Sequence, residues 1–235
     1  MFEKEQQVKE VLFFMKLKTD LVIMGSGMAG ISAADAALAR GKKVIVFEKK
    51  PYQGGAVSNC PIAYVSIRKD RAFQNAAFHL LYEYSNYNAN PSVIRQYVNN
   101  SWRTKEYIER LGIKMIPTQQ LELEDIGDPK YADGFPPAVM AHGDFYLVPG
   151  RGKGHGGALI CLNAMKDIIK RGGQYMLNTP ITDILVDENG KVTGVKAVNN
   201  ETKEEIEVEC EAVIIASGGI MEDREMMKKY TGFTF

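Results

Sequence analysis

Cysteine is scarce: Cys60, Cys161 and Cys210 lie far apart and form no C-x-x-C pair. That pattern argues against a disulfide framework or a zinc site and fits a reducing compartment. Long apolar runs are also missing. The longest early one, Val11–Met15, is far short of the roughly 20 residues that span a bilayer. Glu3 and Glu5 precede it and no small-residue cleavage site follows, so a secretory signal is not expected. Neither sign of charge dominates: Lys+Arg and Asp+Glu stand at 29 each. No global field then draws the chain to nucleic acid or an anionic membrane. Histidine is sparse, and His142 and His155 have no Cys or carboxylate partner at metal-ligand spacing. Both are read as surface or loop residues, and no metal site is expected.

What is present is material for a core. The 235 residues are 45% hydrophobic and 25% charged, enough for one large domain or parts of two. The first residues leave two readings open. Val8, Val11, Leu12 and Met15 have helical spacing. Alternatively Met15 is the natural start and residues 1–14 are a start-site error or a loosely held extension. Residues 1–19 are therefore set apart from a domain over 20–235.

The chemical signal is the stretch "LVIMGSGMAG", which places Gly25, Gly27 and Gly30 in a G-x-G-x-x-G array. The array alone is weak; its surroundings strengthen it. Asp20–Met24 reads as a buried strand before it. Ile31, Ala34 and Leu38 mark a small-faced helix after it, stopped near Gly41. Val44–Phe47 reads as a second strand, tipped by Glu48. This is a βαβ unit. Gly25 permits the tight turn, Gly27 removes the Cβ that would block a pyrophosphate, and Gly30 lets helix and strand pack closely. The helix N-terminus offers N–H groups and positive partial charge. Glu48 stands where a carboxylate accepts from ribose hydroxyls and repels a 2′-phosphate, which disfavours NADP.

Beyond Glu48, residues 49–68 carry Pro51, Gly54, Gly55 and Pro61 and read as a loop. Helices are expected over Ala72–Tyr84, from Asn90-Pro91 to Gly112 as one piece, and within Gly156–Gly172. Trp102 falls at helical spacing as a packing residue. Residues 117–144 read as a polar surface excursion. "GRGKGHGG" (150–157) lacks the G-K-[ST] ending of a phosphate loop and reads as a loop and helix start. Period-two stretches Thr182–Val186, Lys191–Val198 and Glu205–Glu209 predict a β-meander. Ala212–Ala216 predicts a further buried strand ending in Ser217-Gly218-Gly219. Cys60 is read as a small apolar filler.

Four stretches together carry a resemblance. They are "DLVIMGSGMAGISAADAALARGKKVIVFEKKPYQGGAVSN", "YNANPSVIRQYVNNSWRTKEYIERLGI", "GRGKGHGGALICLNAMKDIIKRGGQYMLNTPITDILVDENGKVTGV" and "AVIIASGGI". They resemble the amino-terminal FAD-binding part of the fumarate reductase/succinate dehydrogenase flavoprotein family, soluble branch. Ser217 stands where Thr is commoner. The resemblance implies an α/β fold: a Rossmann-like, FAD/NAD(P)-binding three-layer domain with parallel sheet, β-meander and helical insertion. It implies that Gly25, Ser26, Gly27, Ala29 and Gly30 contact the pyrophosphate. Glu48 and Lys49 would flank the adenosine ribose. Gly54, Gly55, Ala56, Ser58 and Asn59 would line the flavin. Ile181 would present backbone to the adenine, and Ala216, Ser217 and Gly218 would close over the pyrophosphate or ribitol. No histidine lies between Glu48 and Arg68, so FAD is expected to be noncovalent.

In the family a capping domain and a returning segment follow the last of these strands and hold the catalytic groups. The sequence is therefore expected to be an amino-terminal portion, with no catalytic residue to assign. In the intact protein, hydride would pass between flavin N5 and an activated C=C or CH–CH bond of a small carboxylate or carbonyl substrate. The expected setting is cytoplasmic, without membrane insertion or nucleic acid, and with no electron donor assigned. Two alternatives stay open: a catalytically silent dinucleotide-binding module that needs a partner chain, and an NAD-dependent dehydrogenase.

Overall fold

The computed structural model describes residues 14–59, 63–67, 69–120, 143–147, 155–221 and 223–233. The chain forms two compact units: Met1–Ala56 with Ala164–Phe235 (unit 1), and Val57–Asn163 (unit 2). Unit 1 opens with β1 (Phe14–Lys18), β2 (Leu21–Met24), α1 (Met28–Leu38) and β3 (Val44–Phe47). Unit 2 holds β4 (Ala63–Ile67), α2 (Arg71–Tyr84), α3 (Pro91–Asn100), α4 (Trp102–Arg110), β5 (Ile116–Gln120) and β6 (Gly143–Leu147). Helix α5 (His155–Lys170) spans the division. Then come β7 (Gln174–Met176), β8 (Ile181–Val186), β9 (Val192–Val198), β10 (Glu205–Glu209), β11 (Ala212–Ile215) and α6 (Arg224–Thr231).

In unit 1 a parallel sheet runs in the order β11-β2-β3-β7, with Leu21 opposite Val44 and Ala212. The central strands LVIM and VIVF are apolar on both faces, as a sheet covered on both sides requires. Alternation sorts their side chains. Val22, Ile45 and Phe47 join Val195, Ala197, Ile206 and Val208 in a core shared with the meander. Ile23 lies on the opposite face, 3.5 Å from where a Cβ on Gly30 would sit. Helix α1 covers that face with Gly30, Ile31, Ala34 and Ala37. Helix, parallel sheet and meander sheet are the three layers that the resemblance implies.

The meander forms as expected, β8-β9-β10 antiparallel, turned by Asp187 and Asn199. The Asp187 carboxylate accepts the Asn189 and Lys191 amides, and the Asn199 carboxamide accepts those of Glu201 and Thr202. The meander sheet gains a strand that the sequence does not announce. Phe14–Lys18, placed ahead of the domain above, pairs parallel with β10 as β1. Its period-two burial sends Met15 and Leu17 into the core. Of the proposed helical positions, Met15 lies in this strand instead, and Val8, Val11 and Leu12 fall outside the described residues.

Helix α5 is clipped to α1 by Arg171. Its guanidinium lies 2.5 Å from Asp35 and 2.8 Å from Asp167, all three side chains about a quarter exposed. Exposed pairs contribute about 0–1 kcal/mol and broken buried pairs cost about 3–5. Arg171→Ala is therefore expected to lower stability by about 1–2 kcal/mol, read from urea unfolding. An unchanged midpoint would show that the clip contributes nothing.

Unit 2 corrects three expectations. The loop over 49–68 contains a 3-10 turn at Ala56–Asn59 and strand β4. The polar excursion over 117–144 contributes β5 and the start of β6, which pair antiparallel with each other, β6 also with β4. These strands pair across long separations, so no local turn signal reveals them. Residues 121–142, with His142, lie outside the described residues, as do Cys60 and residues 151–154. The single helix expected from Asn90 to Leu111 is two, α3 and α4. They meet at Ser101, whose hydroxyl accepts the Ile67 amide at 3.0 Å. The Trp102 indole donates to the Asn99 carbonyl at 2.9 Å. Ile67, Ala77, Ile94 and Val98 form the local core.

A fourth correction concerns β11. It was expected to be buried, yet it is the edge strand of the parallel sheet, with Ile214 38% and Ile215 65% exposed. Among the described residues only β2 pairs with it. An apolar strand is a sign of burial only when neighbours cover both faces.

Candidate functional site

The parallel strands β11, β2 and β3 end together, and their carboxyl ends define the site. In open α/β sheets such ends are where ligands bind. Main-chain bonds fix the three. The Gly25 amide donates to Phe47 O at 2.7 Å, and the Ala216 amide to Met24 O at 2.8 Å. Gly25 turns the chain with φ +102°, a conformation that L side chains rarely adopt. A Cβ there would also lie 2.5 Å from Ala216 O.

Helix α1 begins at Gly27 with no side-chain cap and no acidic residue in its first turn. Its leading amides thus face outward with their share of the macrodipole. A Cβ on Gly27 would meet nothing within 4 Å, so the space above the turn is open to a ligand. Gly30, by contrast, sits where a Cβ would be 1.9 Å from Gly25 O. Ala29 is exposed at the helix start.

Glu48 closes one side. It is 5% exposed, and its carboxylate is held by three donors. Oε2 accepts the Ser26 amide at 3.0 Å and the Ser26 hydroxyl at 2.8 Å; Oε1 accepts the Lys50 amide at 3.0 Å. A carboxylate offers about four lone-pair sites, so one acceptor position remains, on Oε1. The main chain of Glu48 is equally tied: its amide donates to Met176 O, and its carbonyl accepts from Thr179. Thr179 is almost fully buried and had no motif to mark it in the sequence.

The second glycine pair reaches this site. The Gly54 amide donates to Ser26 Oγ at 2.7 Å, and a Cβ on Gly55 would stand 3.8 Å from Gly27 Cα. Ala56 ends unit 1, whereas Ser58 and Asn59 belong to unit 2. Lys49 is exposed beside Glu48. Ile181 opens β8 opposite Ala197, two residues from Thr179. Ser217 and Gly218 are exposed beyond β11, Gly218 with φ +88°. Hydrogen bonds tie Gly25 to Phe47, Ala216 to Met24, and Ser26 to Glu48 and Gly54, while Gly30 packs against Gly25 and Gly55 approaches Gly27, so these residues meet at the strand ends.

A groove of about 590 Å³ lies at the opposite, amino ends of β2 and β3, lined by Lys18, Asp20, Lys43, Lys191, Glu209 and Cys210. Its charges are mixed and largely answer each other: Lys18 pairs with Glu209 at 2.5 Å, which holds its pKa above the ordinary lysine value. Burial pushes the Cys210 thiol up, keeping it protonated and poorly nucleophilic. The chemistry favours the carboxyl-end crevice.

An uncapped helix start, an open space at Gly27 and a buried carboxylate beside them suit a pyrophosphate and its sugar. They define a dinucleotide-binding α/β domain. The family model for the FAD binding domain matches residues 20–234. The chain belongs to that family, in the branch of fumarate reductase and succinate dehydrogenase flavoproteins. It is 31% identical over 220 residues to the NADH:fumarate oxidoreductase of Klebsiella pneumoniae (strain 342), covering 90% of this chain and 21% of the relative. It is 26% identical over 221 residues to the vinyl phenol reductase of Lactiplantibacillus plantarum, covering 91% and 40%. Among solved structures, the open conformation of a flavocytochrome c3 fumarate reductase superposes with a TM-score of 0.71 at 20% identity. That match covers 92% of this chain and 36% of that one. The chain thus spans less than half the length of these relatives. Among the described residues, no helix is long and apolar enough to cross a membrane.

Proposed function

We propose that this chain is the FAD-binding part of a flavin-dependent oxidoreductase acting on an activated carbon–carbon bond of a small carboxylate or carbonyl compound. The observation that carries this reading is the crevice where α1 begins without a cap, above the open position at Gly27 and beside the buried Glu48. Main-chain amides at the start of α1 hold the pyrophosphate by hydrogen bonds and by the helix field. Glu48 accepts a ribose hydroxyl through its remaining Oε1 site. Gly54 and Gly55 bring bare main chain to the cofactor, and Ile181 offers main chain to the adenine. Ala216, Ser217 and Gly218 close the far side. The flavin, held noncovalently, supplies hydride transfer at N5. Relatives named for fumarate and vinyl phenol support reduction of a C=C bond as the reaction. A cytoplasmic setting is part of this proposal, in keeping with the scarcity of cysteine in the sequence.

A second reading is a dinucleotide-binding module without turnover of its own. One titration separates the readings. The purified chain is mixed with FAD or NAD, passed through a desalting column, and its absorbance recorded. Retained flavin colour is expected. Retention of NAD with refusal of FAD would sink the proposal in favour of a nicotinamide enzyme. Flavin that is chemically reduced on the protein and then reoxidised by fumarate would exclude the silent module.

A further inference from the structure

The polar atoms of Ser26 have partners other than a phosphate. Its amide and hydroxyl both donate to Glu48 Oε2, and its hydroxyl oxygen accepts the Gly54 amide. The residue is fully buried, and Gly54 is buried with it. Gly54 adopts φ +92°, which aims its amide back at the glycine turn.

We propose that Ser26 is a positioning residue: its hydroxyl relays the Gly54 amide to the Glu48 carboxylate, pins the Gly54–Gly55 loop against Gly27, and selects Oε1 as the oxygen that meets the sugar. The inference rests on the FAD reading and assigns this residue a different job within it. Two donors from Ser26 fill Oε2. The Lys50 amide takes half of Oε1, and one acceptor site is left in a fixed direction. Without the hydroxyl, the Gly54 amide is an orphaned buried donor and Oε2 keeps one partner of two. Such an amide must open to water or find another acceptor, and either outcome releases the loop.

The test uses the full chain with Ser26→Ala. The first readout needs no cofactor: hydrogen exchange of the Gly54 amide is expected to quicken about tenfold or more. The second is FAD affinity by calorimetry, expected to fall about tenfold. The third is the same substitution made on Glu48→Gln. Acting through the carboxylate, Ser26→Ala then costs little further affinity, whereas a direct phosphate contact costs the same in both backgrounds. Equal cost in both, or unchanged Gly54 exchange, overturns the proposal. A wild-type chain that binds no FAD overturns the cofactor reading instead, and the exchange measurement still decides the relay. Should Ser26→Ala fail to fold, Ser26→Cys carries the same measurements, because sulfur is a poor acceptor for the Gly54 amide.

Discussion

A chain carrying Gly27→Val is expected to unfold at the wild-type temperature and to bind no measurable FAD. The two halves of that result have separate causes. Gly27 has an ordinary extended backbone, φ −68° and ψ −175°, so valine brings no strain. A Cβ there meets nothing within 4 Å, so the branch point itself displaces no protein atom. The side chain instead fills the space above the first amides of α1, where a pyrophosphate must sit to receive them. The melting temperature of the free chain should stay within about 2 °C of wild type. Affinity in calorimetry should fall at least about a hundredfold, or roughly 3 kcal/mol. Binding retained at wild-type strength would show that phosphates do not occupy this space.

Gly30→Ala is expected to do the reverse and damage the fold itself. A Cβ at that position would stand 1.9 Å from Gly25 O and 3.0 Å from Gly25 C. Both are main-chain atoms of the turn, so no side chain can rotate out of the way. Helix α1 would have to lift from β2, opening the interface that Ile31, Ala34 and Ala37 seal. Overpacking commonly costs about 1–3 kcal/mol, and a main-chain clash this close lies at or beyond the upper end. Urea unfolding should report a loss of about 3 kcal/mol or more, and any loss of FAD should follow from it. A midpoint equal to wild type would mean that α1 can lift at no cost, and the close packing assigned to Gly30 would be wrong.

These two glycines show which parts of the molecule the sequence makes legible. Spacing places both in one motif, and their general roles follow from it. The flanking strands are legible because Leu21–Met24 and Val44–Phe47 are apolar throughout, and the meander because Asn and Gly mark its turns. The β4-β6-β5 sheet is not, since Ala63–Ile67 pairs with residues about 80 positions onward and nothing local encodes that. Strand β1 is hidden because the helical spacing of Val8, Val11 and Met15 competes with the alternation of Phe14–Lys18. The break at Ser101 depends on a hydroxyl meeting the amide of Ile67, a tertiary event. In the site, Glu48 is legible as an acid at a strand tip. That Ser26 would engage it with both amide and hydroxyl is not, because serine at the second position of the motif reads the same whichever way its side chain turns.

The position of β11 has a practical consequence. Among the described residues nothing pairs with its outer side, which offers main-chain donors and acceptors in a row, and Ile215 at its end is mostly solvent-facing. An apolar border of this kind invites another copy to zip alongside. Purified stocks of the polypeptide should cloud as concentration rises, and a lysine placed at Ile215 should keep them clear.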